Sequence, residues 1–307
     1  MRIFVTGATG FIGSAVVMEL ISAGHRVLGL ARSEAGAKAL TAAGAQVHRG
    51  DLNDLESLRS GASSADGVIH LGFIHDFSKF KENCEIDRRA IEALGEALAG
   101  TKRPLIVTGG LGGLTAPGQI ATEDNLPLPD YPFPRVSEQK GMALLAKSVS
   151  AAVMRLPQVH NTVKQGLITY LIAVAREKGV SAYVGEGEAR WAAAHVLDVA
   201  GLYRLALEKH EPGARYHAVA EDGVRLKDIA GAIGRGLKIP AVSISPEEAP
   251  AHFGWMSMFA PHGIMASSAL TRKKLGWQPT GPGLIADLDQ MHYFETDTVS
   301  ASVARRA

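Results

Sequence analysis

The 307-residue sequence predicts an α/β fold: a doubly wound parallel sheet with a smaller, mostly helical C-terminal lobe. Three observations predict it. Short β-branched runs alternate with Ala-rich helical stretches from the first residue to about 155, the pattern of βαβ units on a parallel sheet. A turn with three glycines falls at the first strand-to-helix junction. Beyond Arg155 the alternation loosens into helices, short strands and the Pro-rich "ISPEEAPAHF". With 46% hydrophobic and 21% charged residues, the chain can bury the core of one large domain with a lobe, or of two domains.

Six strands are read at "RIFVT" (2–6), "RVLGLA" (26–31), "QVH" (46–48), "GVIHL" (67–71), "PLIVT" (104–108) and "AAVM" (151–154). Between them "IGSAVVMELISAG", "EAGAKALTAA", "LESLRSGA", "CEIDRRAIEALGEALAG" and "SEQKGMALLAKS" repeat apolar residues at three- and four-residue spacing, so each is a helix packed by one face. The crossovers are expected to be right-handed. Further helices follow near 167–178, 196–208, 226–237 and 267–275. The expected domains are 1–156 for the sheet, 157–294 for a substrate-binding lobe interleaved with the sheet edge, and 295–307 for a flexible tail.

Composition narrows the function. Lys+Arg 32 against Asp+Glu 31 leaves no basic field for a nucleic acid or an anionic membrane, so a small-molecule partner is expected. The single cysteine, Cys84, excludes an intrachain disulfide and a multi-cysteine zinc site, and no metal is expected. The chain runs from its first residue straight into a strand-like segment, and its longest apolar window, "GLITYLIAVA" (166–175), is half a membrane span. A cytoplasmic location is therefore expected.

In "FVTGATGFIGSAVV", Gly7 allows the tight turn, Gly10 lets backbone approach a pyrophosphate, and Gly13 lets the helix lie close to the strand. The context is that of a Rossmann unit, with Thr9, Phe11 and Ile12 presenting backbone to a dinucleotide at the helix N-terminus. An NAD-selective unit usually ends its second strand with an acid. Here "GLARSE" offers Arg32 and Ser33 instead, a guanidinium and a hydroxyl suited to a 2′-phosphate, so NADP(H) is expected.

The glycine turn, "GDLND" (50–54), "HLG" (70–72), "RLPQVHN" (155–161), "HVLDVA" (195–200) and "LGWQPT" (275–280) occur in the order that resembles the extended short-chain dehydrogenases/reductases, the epimerase/dehydratase-like branch. The resemblance spans nearly the whole chain. It implies that Asp51 and Leu52 flank the adenine, that Leu71, Gly72, Thr108 and Gly109 lie along the cofactor, and that Pro157, Gln158 and Val159 pass near the nicotinamide amide. It also implies a homodimer through the helices around strand five.

That family's chemistry uses a tyrosine phenol with a lysine four residues on, which lowers the phenol's pKa. In "YPFPRVSEQK" Tyr131 precedes Lys140 by nine residues, and four residues after it stands Arg135. Pro132 and Pro134 also bias this segment to extended backbone. The family's hydroxyl after strand five aligns with Gly110 in "IVTGGLGG". The sequence thus resembles atypical members that keep the cofactor half and lose the standard catalytic set.

Substitute catalytic residues are sought near the expected mouth. His160 lies where the chain enters the lobe and Glu138 falls at one register of the lysine position; Tyr131, His75 and Asp76 are alternatives. Gly110, Gln158, Arg190 and Trp191 are expected at the substrate, with Trp191 as an apolar wall and Arg190 holding an anionic group. His195 and Asp198 are read as fixing the lobe, and "HFGWMSMFAPH" as core or pocket lid. The expected function is an NADP(H)-dependent oxidoreductase for a small, largely apolar carbonyl, enone or imine compound with a nonstandard proton donor. The alternatives are a nucleotide-sugar epimerase/dehydratase and a non-catalytic NADP(H)-binding redox sensor.

Overall fold

The computed structural model describes residues 1–129, 131 and 133–292, so the expected tail lies outside the described residues. In chain order the first half comprises β1 (Arg2–Thr6), α1 (Phe11–Ser22), β2 (Arg26–Ala31), α2 (Glu34–Ala42), β3 (Gln46–Arg49), α3 (Leu55–Ser63), β4 (Gly67–His70), α4 (Phe80–Leu98), β5 (Pro104–Gly110), β6 (Ile120–Ala121), α5 (Ser137–Ala143) and β7 (Ser150–Leu156). The second half adds β8 (Gln158–His160), α6 (Ile168–Lys178), β9 (Ser181–Val184), β10 (Arg190–His195), α7 (Val196–Glu208), β11 (Arg215–His217), β12 (Glu221–Arg225), α8 (Leu226–Leu237), β13 (Ala241–Ile244), α9 (Ala249–Phe253), β14 (Met265–Ala266), α10 (Ala269–Leu275) and α11 (Leu284–Asp289).

The six strands read from the sequence form one parallel sheet with a seventh, in the order β11-β7-β5-β4-β1-β2-β3. The order reverses between β1 and β4, so the crevice at the carboxyl ends of these strands is the expected ligand position. Strand periodicity splits the core. Ile3, Val5, Ile106 and Met154 face α1 and α7, while Phe4, Val68, Leu105 and Val153 face α3 and α4.

β11 went unread because three residues, "RYH", carry no strand pattern of their own. Backbone pairing of Arg215, Tyr216 and His217 with Val153, Met154 and Arg155 makes it a strand. α7 likewise buries Val199, Leu202 and Tyr203 in the same layer as Val16, Val17 and Leu20 of α1. The second half of the chain therefore supplies both an outer helix and an edge strand to the parallel sheet.

What remains of the second half is a lobe of its own. Ile168 and Ile172 of α6, Leu226, Ile229 and Ile233 of α8, and Leu284 and Leu288 of α11 surround the fully buried Trp191. Small sheets β12-β10-β8 and β13-β9 tie these helices together. Among the described residues, no helix is long and apolar enough to cross a membrane.

Candidate cofactor and substrate site

The turn after β1 is built for close approach. Gly7 has φ +66°, and a Cβ there would lie 2.7 Å from the Leu71 carbonyl carbon and 2.8 Å from the Gly72 nitrogen. A Cβ on Gly13 would lie 2.0 Å from the Gly7 oxygen, so α1 can sit this close to β1 only with glycine there. Gly10 caps α1 without a side-chain hydrogen bond, and no acidic residue stands in the first turn. The amides of Phe11 and Ile12 and the positive end of α1 thus meet no carboxylate of their own helix, which fits a pyrophosphate.

At the end of β2, Arg32 is exposed and has no charged partner among the described residues. Ser33 caps α2, its Oγ accepting from the Gly36 amide at 3.1 Å, which leaves the hydroxyl proton available. The Thr9 methyl lies against Gly36 and so brings the glycine turn beside this strand end. Asp51 Oδ1 accepts from the backbone and side chain of Asn53 at 2.9 and 3.0 Å, holding the turn that leads into α3. Leu52 packs at Gly72, and with Leu71 continues an apolar wall along the crevice.

A buried hydrogen-bonded chain runs from this crevice toward the aromatic residues that follow β4. The Gly72 amide donates to Thr6 Oγ1 at 3.1 Å, which lies 2.7 Å from His70 Nδ1. His70 Nε2 is 3.2 Å from Asp87 Oδ1, and the Ser137 hydroxyl donates to Asp87 Oδ2 at 2.5 Å. Ser137 Oγ in turn accepts from Arg135 Nε at 2.9 Å. Burial raises the Asp87 pKa, but bonds from His70 and Ser137 and the field of Arg135 outweigh it and leave the carboxyl below its ordinary value. With Asp87 ionised, its acceptors fix the Ser137 proton and leave that oxygen free to receive Arg135.

Aromatic rings close the mouth. Phe73, Phe77 and Phe80 come from the segment after β4, Phe133 from the loop before α5, and Tyr170 and Trp255 from the lobe. Phe77 stacks on Trp255 with centroids 4.1 Å apart. In "HFGWMSMF", therefore, Phe253 and Met256 are lobe core while Trp255 and Phe259 face the mouth. His75 opens to solvent at this mouth, yet the protein packed around its ring, followed by the positive Arg135 and Lys164, pushes its pKa down to about 4.

Several expected site residues lie elsewhere. Glu138 is buried, with Oε2 and Oε1 accepting from Arg155 at 2.7 and 2.6 Å and Oε1 also accepting from Arg215 at 2.8 Å. It is the counter-ion that joins α5 to β7 and β11, not a ribose ligand or proton donor. His160 is fully enclosed: Nδ1 is 2.6 Å from Asp287 Oδ2, while Nε2 has no hydrogen-bond partner and faces Glu221 at 4.0 Å. Burial lowers its pKa despite both acids, and enclosure keeps it from a substrate.

Trp191 is core, its indole nitrogen donating to the His262 carbonyl at 2.8 Å, so it is no pocket wall. Arg190 is exposed on the lobe surface, donating to Gly223 and lying 4.0 Å from Glu188. Thr108 turns its hydroxyl to Tyr203, 2.7 Å away beneath α7, so only its backbone faces the crevice. Gly109 is buried against Val153, whereas a Cβ on Gly110 would meet nothing within 4 Å, leaving open space at the end of β5. Gln158 is buried and accepts from the Leu167 amide at 3.2 Å, pinning the loop after β8. Pro157 is half-buried between β7 and β8, and Val159 is core. Asp198 accepts from the Thr280 and Gly281 amides, each at 2.9 Å, and so ties "LGWQPT" to α7. Lys140 pairs with Glu92 at 3.3 Å on the surface.

The residues missed by sequence reasoning are Arg135, Ser137 and the His70–Asp87 pair. Arg135 was visible only as the wrong residue four positions after Tyr131. His70 and Asp87 are separated by 17 residues, and nothing local marks them as partners.

The comparisons agree with this geometry. The model of the "NAD dependent epimerase/dehydratase family" matches residues 3–126. Uncharacterized protein C2A9.02 of Schizosaccharomyces pombe is 48% identical, over 96% of this chain and 100% of its own length. A sterol-4-alpha-carboxylate 3-dehydrogenase (decarboxylating) of Dictyostelium discoideum is 23% identical over 74% of this chain and 73% of its own. The structure of a Thermotoga maritima UDP-glucose 4-epimerase with UDP-glucose superposes with a TM-score of 0.75 at 20% identity, covering 97% of this chain and 100% of that one. With the glycine cradle, the seven-stranded parallel sheet and the lobe over its carboxyl edge, the chain belongs to the NAD dependent epimerase/dehydratase family.

Proposed function

We propose that the protein is an NADP(H)-dependent oxidoreductase for a small, largely apolar carbonyl, enone or imine compound. The observation that carries the reading is the joining of two features in one crevice. An uncommitted Arg32 beside Ser33 stands at the adenosine end, and an aromatic mouth with open space at Gly110 stands at the other. A bound nicotinamide supplies hydride exchange; the chain's own residues do the rest.

The turn of Gly7, Gly10 and Gly13 and the start of α1 hold the pyrophosphate, and Arg32 with the Ser33 proton holds a 2′-phosphate. Leu52, Leu71 and Gly72 line the path between. The rings at the mouth exclude water and select an apolar substrate. Tyr131 rests on Gly112 and Gly113 at this mouth, and burial raises its pKa, so it still carries its proton at neutral pH and is the side chain assigned to proton delivery. The lone Cys84, buried and with its thiol pushed up to about 11, suits a cytoplasmic protein.

The test is calorimetric titration with NADPH and NADH, followed by a screen of apolar ketones, enones and imines for NADPH oxidation. Tighter binding of NADPH and turnover of such a compound support the reading. Preference for NADH, or epimerisation of a UDP-sugar, overturns it.

A further inference from the structure

Arg135 is a half-buried guanidinium without an ion pair among the described residues. Its Nε donates to Ser137 and its Nη2 to the Thr108 carbonyl at 3.3 Å, while its plane lies over Phe73 at 4.2 Å from the ring centroid. Asp87 reaches it only through the Ser137 hydroxyl. Among the described residues, Nη1 makes no hydrogen bond. Arg155 is different: it is fully buried and bonded to a carboxylate, a histidine and three carbonyls.

The position adds meaning to the charge. Thr108 is near the end of β5, Phe73 follows β4, and Gly110 leaves open space beside them. The ammonium of Lys164 lies over Phe11 at 5.9 Å, so a second cation borders the same crevice. Burial first, then both cations, pushes the His75 pKa down to about 4, so its ring adds no third positive charge. A fixed cation on an aromatic floor recognises a planar ligand with a negative or partly negative oxygen.

We propose that Arg135 anchors the substrate: its free edge binds a carboxylate or carbonyl oxygen of a planar, apolar molecule whose rings lie on the aromatic surface of Phe73, Phe77, Phe133 and Trp255. This rests on the reading of the crevice as a substrate site, and it makes Asp87 and Ser137 positioning residues that hold the guanidinium in place. The family's serine position is open at Gly110, and Arg135 takes the oxygen from the α5 side instead.

The test uses 2-naphthoate as probe, followed by calorimetry and by quenching of tryptophan fluorescence, with NADP+ present. Wild-type protein should bind it, and Arg135→Gln should weaken it about tenfold or more, the loss of one charge-assisted bond. Arg135→Lys should recover part of the affinity. Phe77→Ala should weaken 2-naphthoate but not acetate, and NADPH affinity should stay within about twofold in every variant, on the scale where tenfold is about 1.4 kcal/mol. Absence of wild-type binding overturns the proposal. So does equal binding by wild type and Arg135→Gln, and so does a matching loss of NADPH affinity, which would assign Arg135 to the cofactor. Since the readout is binding, a failure of turnover leaves this result standing and counts only against the oxidoreductase reading. Should Arg135→Gln not fold, the Lys and Phe77→Ala variants carry the same decision.

Discussion

Trp255 of the lobe and Phe77 of the segment after β4 stack with 15° between their planes and 4.1 Å between centroids. Each stands on a short 3-10 turn, Gly254–Met258 and Phe77–Lys79, rather than on a long helix. This pair, with the Phe77–Tyr170 and Phe133–Phe259 contacts, joins the lobe to the segments across the crevice, outside either hydrophobic core. Such a pair contributes about 0.5–1.5 kcal/mol beyond area burial, comparable to a gating equilibrium.

Trp255→Ala should loosen this contact while leaving both cores intact. Hydrogen exchange in residues 73–80 should accelerate severalfold, the melting temperature should fall by only a few degrees, on the order expected for about 1 kcal/mol, and KM for an apolar substrate should rise. Unchanged exchange in 73–80 would show that the stack does not hold the mouth.

Arg32→Glu should remove the guanidinium and place a carboxylate where it would accept from ribose hydroxyls. NADPH affinity should fall about ten- to a hundredfold, the worth of one charge-assisted interaction at an exposed strand end, and NADH affinity should hold or rise. Titration of both cofactors against both proteins checks it.

Glu138→Ala should leave the fully buried Arg155 without its carboxylate. Breaking a buried pair from one side costs roughly 3–5 kcal/mol, so the denaturant midpoint should drop sharply, and Glu138→Gln should recover part of it. Wild-type stability joined to lost turnover would instead assign Glu138 to catalysis.

His217 supplies a pH signature. Its Nε2 receives Arg155 Nη1 at 2.9 Å and its Nδ1 donates to the Ser267 carbonyl at 2.8 Å, so the fold needs the neutral ring. Burial first, then Arg155, pushes the pKa down to about 4. The unfolded chain takes up this proton near pH 6.5, and the folded one does not until about pH 4. Stability should therefore be full above about 6.5 and decline as pH falls from there to 4, by roughly 3 kcal/mol. Urea unfolding across this window should show the slope, and His217→Gln should flatten it.

The elements of the cofactor half were legible because each carries its own period. Ile3, Val5 and Phe4 alternate as a strand must, and the helical runs between strands bury one stripe each. The mouth was not legible in this way. Phe73, Phe77 and Phe80 stand at three- and four-residue spacing, which in a sequence reads equally as the buried stripe of a helix. In the fold they straddle a loop, a 3-10 turn and the start of α4, and turn toward the lobe.

By itself the sequence determined the doubly wound sheet, the glycine cradle at α1 and the helices of the lobe, because hydrophobic period and the steric needs of a turn act between residues close in the chain. Only the tertiary structure decided which charges are spent and which remain free. Glu138, one residue after Ser137, is consumed by Arg155 and Arg215 across two strands, whereas Arg135 is held by a hydroxyl and a carbonyl, with one edge unpaired among the described residues. Ion pairing and burial depend on partners tens of residues away, and no local pattern encodes which partner arrives.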